Sequence, residues 1–317
     1  MIGQKNNRKV SIIGCGYVGS TIAYALMIKE LADEIVLIDA DKKIADAEML
    51  DIRHGIPYMG LCNIYSGDYK DIVDSDLIVI TAGRNRKPNE SRLDMASDNV
   101  KIAKSVCDDI KKYYNSGVVL VVSNPVDIIT TKVNEWLGLP KGTVFGTGCI
   151  LDSSRFTNVI ADYLKLSPEI VNAQIIGEHG SSQIALWSKV TIAGMPLVDY
   201  CKSTGLEFGD LIKESIEESV ISMGTNIIKG KGRTHYGIAT CVCYIADAIL
   251  TNRATILSVS CILNGEYGVN DIALSVPSVI TSNGIERTLA DYLSADEYAK
   301  IKKSYLVLKN TIDALGE

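Results

Sequence analysis

The sequence predicts an α/β fold: a doubly wound parallel sheet, followed by a second domain of α+β type. Three observations predict it. Two short runs, LIVIT at 77–81 and VVLVV at 118–122, are apolar without alternation, as parallel strands buried on both faces are. Helical patterns separate these runs, and strands joined through helices take right-handed crossovers. The second half instead mixes short β-rich pieces with long amphipathic stretches. A chain of 317 residues is also long enough to divide into two cores. The change of pattern divides it into residues 1–145 and 146–317.

The elements follow in order. Val10–Gly14 is an apolar strand, and Tyr17–Lys29 reads as a helix behind a glycine-rich turn. Glu34–Ile38 is the next strand and ends at Asp39; Ile44–His54 is helical. Leu77–Thr81 and Val118–Val122 are strands, with a helical crossover from Arg92 to Tyr114 between them. RNRKPNES at 84–91 is polar, holds a proline, and hangs as a loop from a strand end. In the second half, Cys149–Leu164 is helical and Val171–Ile176 is strand-like. Short strands flank Gly194 and Pro196. Helices cover Phe208–Ile228 and Tyr236–Leu250, and Ile256–Leu263 is a strand. Asn270–Ile280 reads as short β pieces around Pro277, and Asp296–Leu315 closes as a helix.

Charge and cysteine content exclude some functions. The formal net charge of -6 argues against a nucleic-acid partner, which needs concentrated positive surface. It leaves room for a small anionic substrate in a local cationic pocket. The eight cysteines form no CxxC pair and lie mostly among apolar residues, and the chain has three histidines. Free buried thiols, no metal and a cytoplasmic location are expected. No stretch approaches 18 uncharged apolar residues, so no membrane partner is expected.

The cofactor signal is GCGYVG. It follows an apolar strand and opens a helix, and Asp39 closes the next strand 20 residues beyond Gly19. Gly14 allows the tight turn, Gly16 the approach of a pyrophosphate, and Gly19 close helix packing. The helix N-terminus stabilises the phosphate charge. Asp39 accepts bonds from ribose hydroxyls and repels a 2′-phosphate, which favours NAD over NADP. The pattern is that of a Rossmann-type domain. A ligand-free glycine turn and a flavin dinucleotide site are the alternatives.

Five ionisable groups stand out. His179 lies in a glycine-flanked loop, IIGEHGSSQ, where a structural and a catalytic role are equally open. Asp152 opens a helix and reads by itself as a first-turn carboxylate. Arg155 follows it by three residues, on roughly the same helical face. Arg86 and Arg92 belong to or border the polar loop and read alone as solvated cations.

These segments together resemble the L-lactate/L-malate dehydrogenase family, in its lactate dehydrogenase-like branch. The matching stretches are GCGYVGS, LIDADKKIADAEMLDIRHG, TAGRNRKPNESRLD, VVSNPVDI, GTGCILDSSRF, GEHGSSQ, THYGIA and GEYGVNDIALSVPSVI. They run in family order from residue 10 to about 280. The resemblance implies NAD as cofactor, a second domain that is catalytic, and an anionic 2-hydroxy or 2-keto acid as substrate. It makes His179 the acid–base residue and Asp152 its partner. Arg155 becomes the clamp on the substrate carboxylate, and Arg92 the group polarising the reacting carbonyl. Asn124 lies near the nicotinamide, Thr234 on the substrate-pocket wall, and Ile238 beside the nicotinamide. Tyr17, Val18, Thr81, Ala82, Gly83 and Val122 complete the cofactor surface. The Asn124–Pro125 bond is a cis candidate by the same analogy.

Substrate choice turns on Arg86. It stands at the family's discriminating loop position, where lactate dehydrogenases have Gln and malate dehydrogenases Arg. A second substrate carboxylate needs a matched cation when the loop closes. The expected substrate pair is therefore L-malate and oxaloacetate, with L-lactate and pyruvate as the alternative. Glu90 and the GEHG and THYG motifs are lactate-type, and Glu90, if it points inward, neutralises part of the Arg86 charge. Asn89 and Ser181 replace a usual Gly and Asp. An inactive nucleotide-binding regulator is a remote reading, because the acid–base pair and the arginines are all present. The family implies a homo-oligomer, with a tetramer favoured over a dimer.

Overall fold

The computed structural model describes residues 7–85, 92–289 and 293–315. β1 (Lys9–Ile13) leads through α1 (Tyr17–Ile28), β2 (Glu34–Ile38) and α2 (Lys42–Arg53) to β3 (Asn63–Ser66). β4 (Leu77–Ile80), α3 (Arg92–Tyr113), β5 (Val118–Val121), α4 (Val126–Leu137) and β6 (Val144–Gly146) follow. The six strands are parallel, in the order β6-β5-β4-β1-β2-β3. The apolar runs sit at the centre because both their faces are covered. Leu77, Ile78, Val79 and Ile80 have no exposed surface, and burying each contributes about 1.5–3 kcal/mol. The strand order reverses between β1 and β4. A doubly wound sheet opens its ligand crevice beyond the carboxyl ends of the strands at that point.

The second half begins with α5 (Ile150–Leu164), β7 (Val171–Asn172), β8 (Ile175–Ile176) and β9 (Ile184–Ala185). β10 (Thr191–Ile192), β11 (Met195–Pro196), α6 (Leu197–Thr204), α7 (Asp210–Lys231) and α8 (Tyr236–Leu250) come next. The chain then forms β12 (Thr255–Asn264), β13 (Asn270–Thr281), β14 (Gly284–Thr288) and α9 (Ala295–Leu315). A second core gathers around Phe156, whose ring meets Trp187 edge-on at 4.7 Å. The fold is thus a doubly wound, Rossmann-type parallel sheet followed by a second unit that mixes helices with short strands, as the patterning predicts.

Four local readings differ from the structure. β12, β13 and β14 do not form a sheet of their own. They extend the parallel sheet through one antiparallel pair, Ser260 with Gly146. Pro277 does not interrupt β13, which runs unbroken past it. Its carbonyl accepts from Leu289 N at 2.9 Å, just past the end of β14, so the missing N–H falls where the neighbouring strand has stopped. The 171–176 run is two strands, because β7 pairs with β10 while β8 pairs with β9. Patterning does not mark α4. Nine of its twelve residues are buried, so no polar stripe betrays the helical period.

All eight cysteines are free and buried. No described helix is long and apolar enough to cross a membrane.

Candidate active site

The crevice at the β1–β4 switch point is built by glycines. Gly14 has φ +100°, and a side chain there would strike Ala82 N at 2.6 Å. A Cβ on Gly19 would meet Gly14 O at 1.9 Å, so α1 rests directly on the turn. Over Gly16, the N-cap of α1, the same space is open to 4 Å. Thr81 Oγ1 donates to Gly14 O at 2.6 Å, and Ser123 Oγ to Ala82 O at 2.6 Å, so the ends of β1, β4 and β5 are fixed together. Cys15 N donates to Asp39 Oδ2 at 2.6 Å and Asp41 N to Oδ1 at 2.9 Å. Each carboxylate oxygen keeps a lone pair for a further donor. Tyr17 and Val18 form the first turn of α1, while Gly83 and the buried Val122 follow β4 and β5. Ile238 lies in the first turn of α8. The open cradle over Gly16 and the carboxylate beside it fit a dinucleotide.

Beyond this crevice lies a linked group of ionisable residues. His179 Nδ1 donates to Asp152 Oδ2 at 2.5 Å, and Arg155 Nη1 donates to Asp152 Oδ1 at 2.9 Å. Asp152 is 2% exposed. Burial pushes its carboxyl up, but the His179 charge and hydrogen bond and the Arg155 cation outweigh it, and the net shift is downward. For His179 burial works against the charged ring. The Asp152 charge and hydrogen bond, with help from Asp127, overcome burial and Arg155 and raise its pKa above 6.5. With Nδ1 committed to the carboxylate, Nε2 is the nitrogen left to exchange a proton.

Sequence reasoning missed the groups that hold this arrangement. Ser275 of β13 bonds both ways with Gly177 through the main chain, at 2.8 and 3.0 Å. Its Oγ accepts from Cys149 N at 3.0 Å, at the start of α5. One residue thereby sets the spacing of His179 and Asp152. Buried Asp127 accepts from His179 N at 2.7 Å and from Ser260 Oγ at 2.6 Å. Burial pushes the Asp127 carboxyl up to about 6, against those two bonds. Ser304 of α9 accepts from Glu178 N at 2.8 Å and so fixes the loop from its outer side. Asn99 Nδ2 donates to Asn124 O at 2.7 Å and Arg84 O at 3.1 Å, tying the loops after β4 and β5. The Asn124–Pro125 bond is cis.

The other expected site residues are distributed around this group. Asn124 lies three residues before Asp127, on the loop entering α4. Thr234 sits on the turn between α7 and α8. A Cβ on Gly237 would touch Leu151 at 3.0 Å, which places the start of α8 beside α5. Gly224 of α7 lies over the Arg155 guanidinium, whose Nη2 is 3.7 Å from where its Cβ would be. Arg86, Asn89 and Glu90 lie outside the described residues. So does the side chain of Arg92, whose backbone opens α3. Among the described residues no three His, Cys, Asp or Glu side chains gather as a metal site.

Comparison with known proteins agrees with this geometry. Residues 8–146 match the lactate/malate dehydrogenase NAD binding domain, and residues 149–317 the alpha/beta C-terminal domain of the same family. The chain is 42% identical over 315 residues to the L-lactate dehydrogenase of Acetivibrio thermocellus, covering 99% of each. It is 41% identical over 313 residues to that of Clostridium botulinum, covering 99% of this chain and 98% of that one. The ligand-bound minor L-lactate dehydrogenase of Enterococcus mundtii superposes with a TM-score of 0.94 at 36% identity, over 98% of this chain and 99% of the other. These relatives overturn the expectation of malate and oxaloacetate. The physical reason is general: an arginine selects a dianion only when its charge is left uncompensated, so the residue type at position 86 does not by itself fix the substrate.

Proposed function

The chain belongs to the lactate/malate dehydrogenase family and is an NAD-dependent oxidoreductase, and from that premise we propose that it interconverts L-lactate and pyruvate. The observation that carries the reading is the shared carboxylate of Asp152, with His179 on one oxygen and Arg155 on the other. Bound NAD supplies the hydride acceptor, and NADH the donor. In lactate oxidation, neutral His179 takes the hydroxyl proton at Nε2. In pyruvate reduction, the imidazolium returns it to the ketone oxygen. Asp152 holds the ring orientation and favours the imidazolium. The Arg155 guanidinium has five N–H donors and spends one on Asp152, so a two-pronged grip on the substrate carboxylate remains available.

Arg92 is the proposed cation for the oxygen that becomes negative during reduction. Asn124 and Thr234 border the substrate, and Ile238 the nicotinamide. Gly14, Gly16, Tyr17, Val18, Gly19, Thr81, Ala82, Gly83 and Val122 form the cofactor surface, with Asp39 on the ribose. Arg86, the malate-type residue at the loop position, is read as offset by Glu90. The cofactor and catalytic domains divide near residue 145. A cytoplasmic setting, where eight free thiols stay reduced, completes the reading.

The direct test compares kcat/KM for pyruvate and oxaloacetate with saturating NADH. Pyruvate is expected to be preferred by at least about tenfold. An equal or opposite preference overturns the lactate reading and returns Arg86 to a discriminating role.

The assembly is proposed to be a homotetramer. Apolar side chains supporting contact are Ile44 and Leu50 on α2 and Leu211, Ile221 and Ile228 on α7, all exposed on the single chain. Sedimentation equilibrium should give four subunits; a monomer at micromolar concentration overturns this reading.

A further inference from the structure

The turn between α7 and α8 places a cation against the mouth of the cofactor crevice. Gly232 ends α7 in a left-handed conformation, φ 77°, and its N–H caps Ile228 O at 2.7 Å. The chain therefore leaves the helix sharply and projects Arg233 outward. The Arg233 guanidinium lies 3.8 Å from the centre of the Tyr17 ring. Tyr17 is the first residue of α1, directly after Gly16, and is 56% exposed. Among the described residues Arg233 has no acidic partner.

A neighbouring lysine reinforces the positive character, and a histidine whose pKa burial and the nearby cations lower packs beside it. Lys231 Nζ lies 4.2 Å from the centre of the Tyr236 ring. His235, 7% exposed, faces both Tyr236 and Tyr17, with ring centres at 4.0 and 5.9 Å. Its buried Nδ1 has no hydrogen-bond partner. No side chain caps the N-terminus of α1, and the space over Gly16 is open. An uncapped helix N-terminus and a cation stacked on its first residue favour the same ligand, a pyrophosphate with two negative charges.

We propose that Arg233 binds the pyrophosphate of NAD, with the Tyr17 ring as the platform that holds the guanidinium in place. The cofactor is then gripped by both domains: by α1 from below and by the α7–α8 turn from above. Stacking fixes the planar head before the ligand arrives, so little side-chain freedom is lost on binding. The inference rests on NAD as cofactor and not on the choice of substrate.

Calorimetric titration of the intact protein without substrate tests it, using NADH, ADP-ribose and adenosine. In Arg233→Gln the Kd for NADH and for ADP-ribose should rise about tenfold, the scale of one charge-assisted hydrogen bond. Adenosine, which has no phosphate, should bind unchanged. The wild-type affinity for ADP-ribose should fall more steeply with salt than that of the variant. Arg233→Lys should recover most of the loss. An unchanged ADP-ribose Kd in Arg233→Gln overturns the proposal. So does an equal loss for adenosine, or a lowered melting temperature with affinity intact, which would leave Arg233 a purely structural strut. A failure of the pyruvate assignment would leave these titrations as predicted.

Discussion

Replacing Asp152 with Asn lowers kcat for pyruvate reduction by about three orders of magnitude, within the range general acid–base catalysis supplies. The carboxylate is buried and serves two donors, His179 Nδ1 and Arg155 Nη1. An amide has one acceptor oxygen. Its NH2 must then face either the guanidinium, donor against donor, or the imidazole, which inverts the tautomer. The lost charge also removes what holds the His179 pKa up, leaving burial and Arg155 to depress it. In the parent protein the acid form of His179 persists above the ordinary value of 6.5, so kcat/KM for pyruvate is flat below its raised pKa and falls as pH rises through it. In Asp152→Asn that falling limb moves to lower pH. Steady-state rates between about pH 5 and 9 read both effects, and the Kd for NADH should stay within about twofold. A variant with unchanged pH limb would remove Asp152 from the proton path. Stability shows the same sign: the contribution of the charged ring is full below 6.5 and is lost as pH rises through the raised folded value.

Arg155→Lys is expected to lower kcat/KM for pyruvate by about 10³-fold, the scale of removing one partner from a buried charge pair. Lysine keeps the charge but cannot place two parallel N–H groups on a carboxylate. Its shorter head must also choose between Asp152 and the substrate. Much of the loss should therefore fall on KM, because grip on the substrate carboxylate operates in the ground state as well. Retention of more than a tenth of the activity would show that charge alone suffices and that the fork geometry contributes little.

The cofactor half was largely legible in the sequence, because its signals are local. The Gly14–Gly19 turn, the strand before it and Asp39 lie within one βαβ unit. The proposed catalytic residues stand in short motifs, GTGCILDSSRF and GEHG. The groups that hold them were not legible. Asp127 is one residue of the VVSNPVDI motif with no role marked in the sequence, and its partners are 52 and 133 residues away. Ser275 looks like one polar residue among apolar ones until β13 lies beside both Gly177 and Cys149. Such roles exist only after long-range strand pairing. The reading of Arg86 failed for a related reason. A residue type was taken as a specificity, although charge selectivity belongs to the sum of the charges around a bound substrate.

The single pair between Ser260 and Gly146 is the seam at which the parallel and antiparallel parts of the sheet meet. Gly146 is tight against that seam, where a Cβ would come within 2.2 Å of Thr130 Oγ1. The Ser260 hydroxyl also reaches Asp127, whose other oxygen holds the main chain of His179. The Asp127 carboxylate thus ties the seam of the sheet to the main chain of His179 through two hydrogen bonds. Looseness at the junction of the parallel and antiparallel strands would therefore become misalignment of the His179 loop.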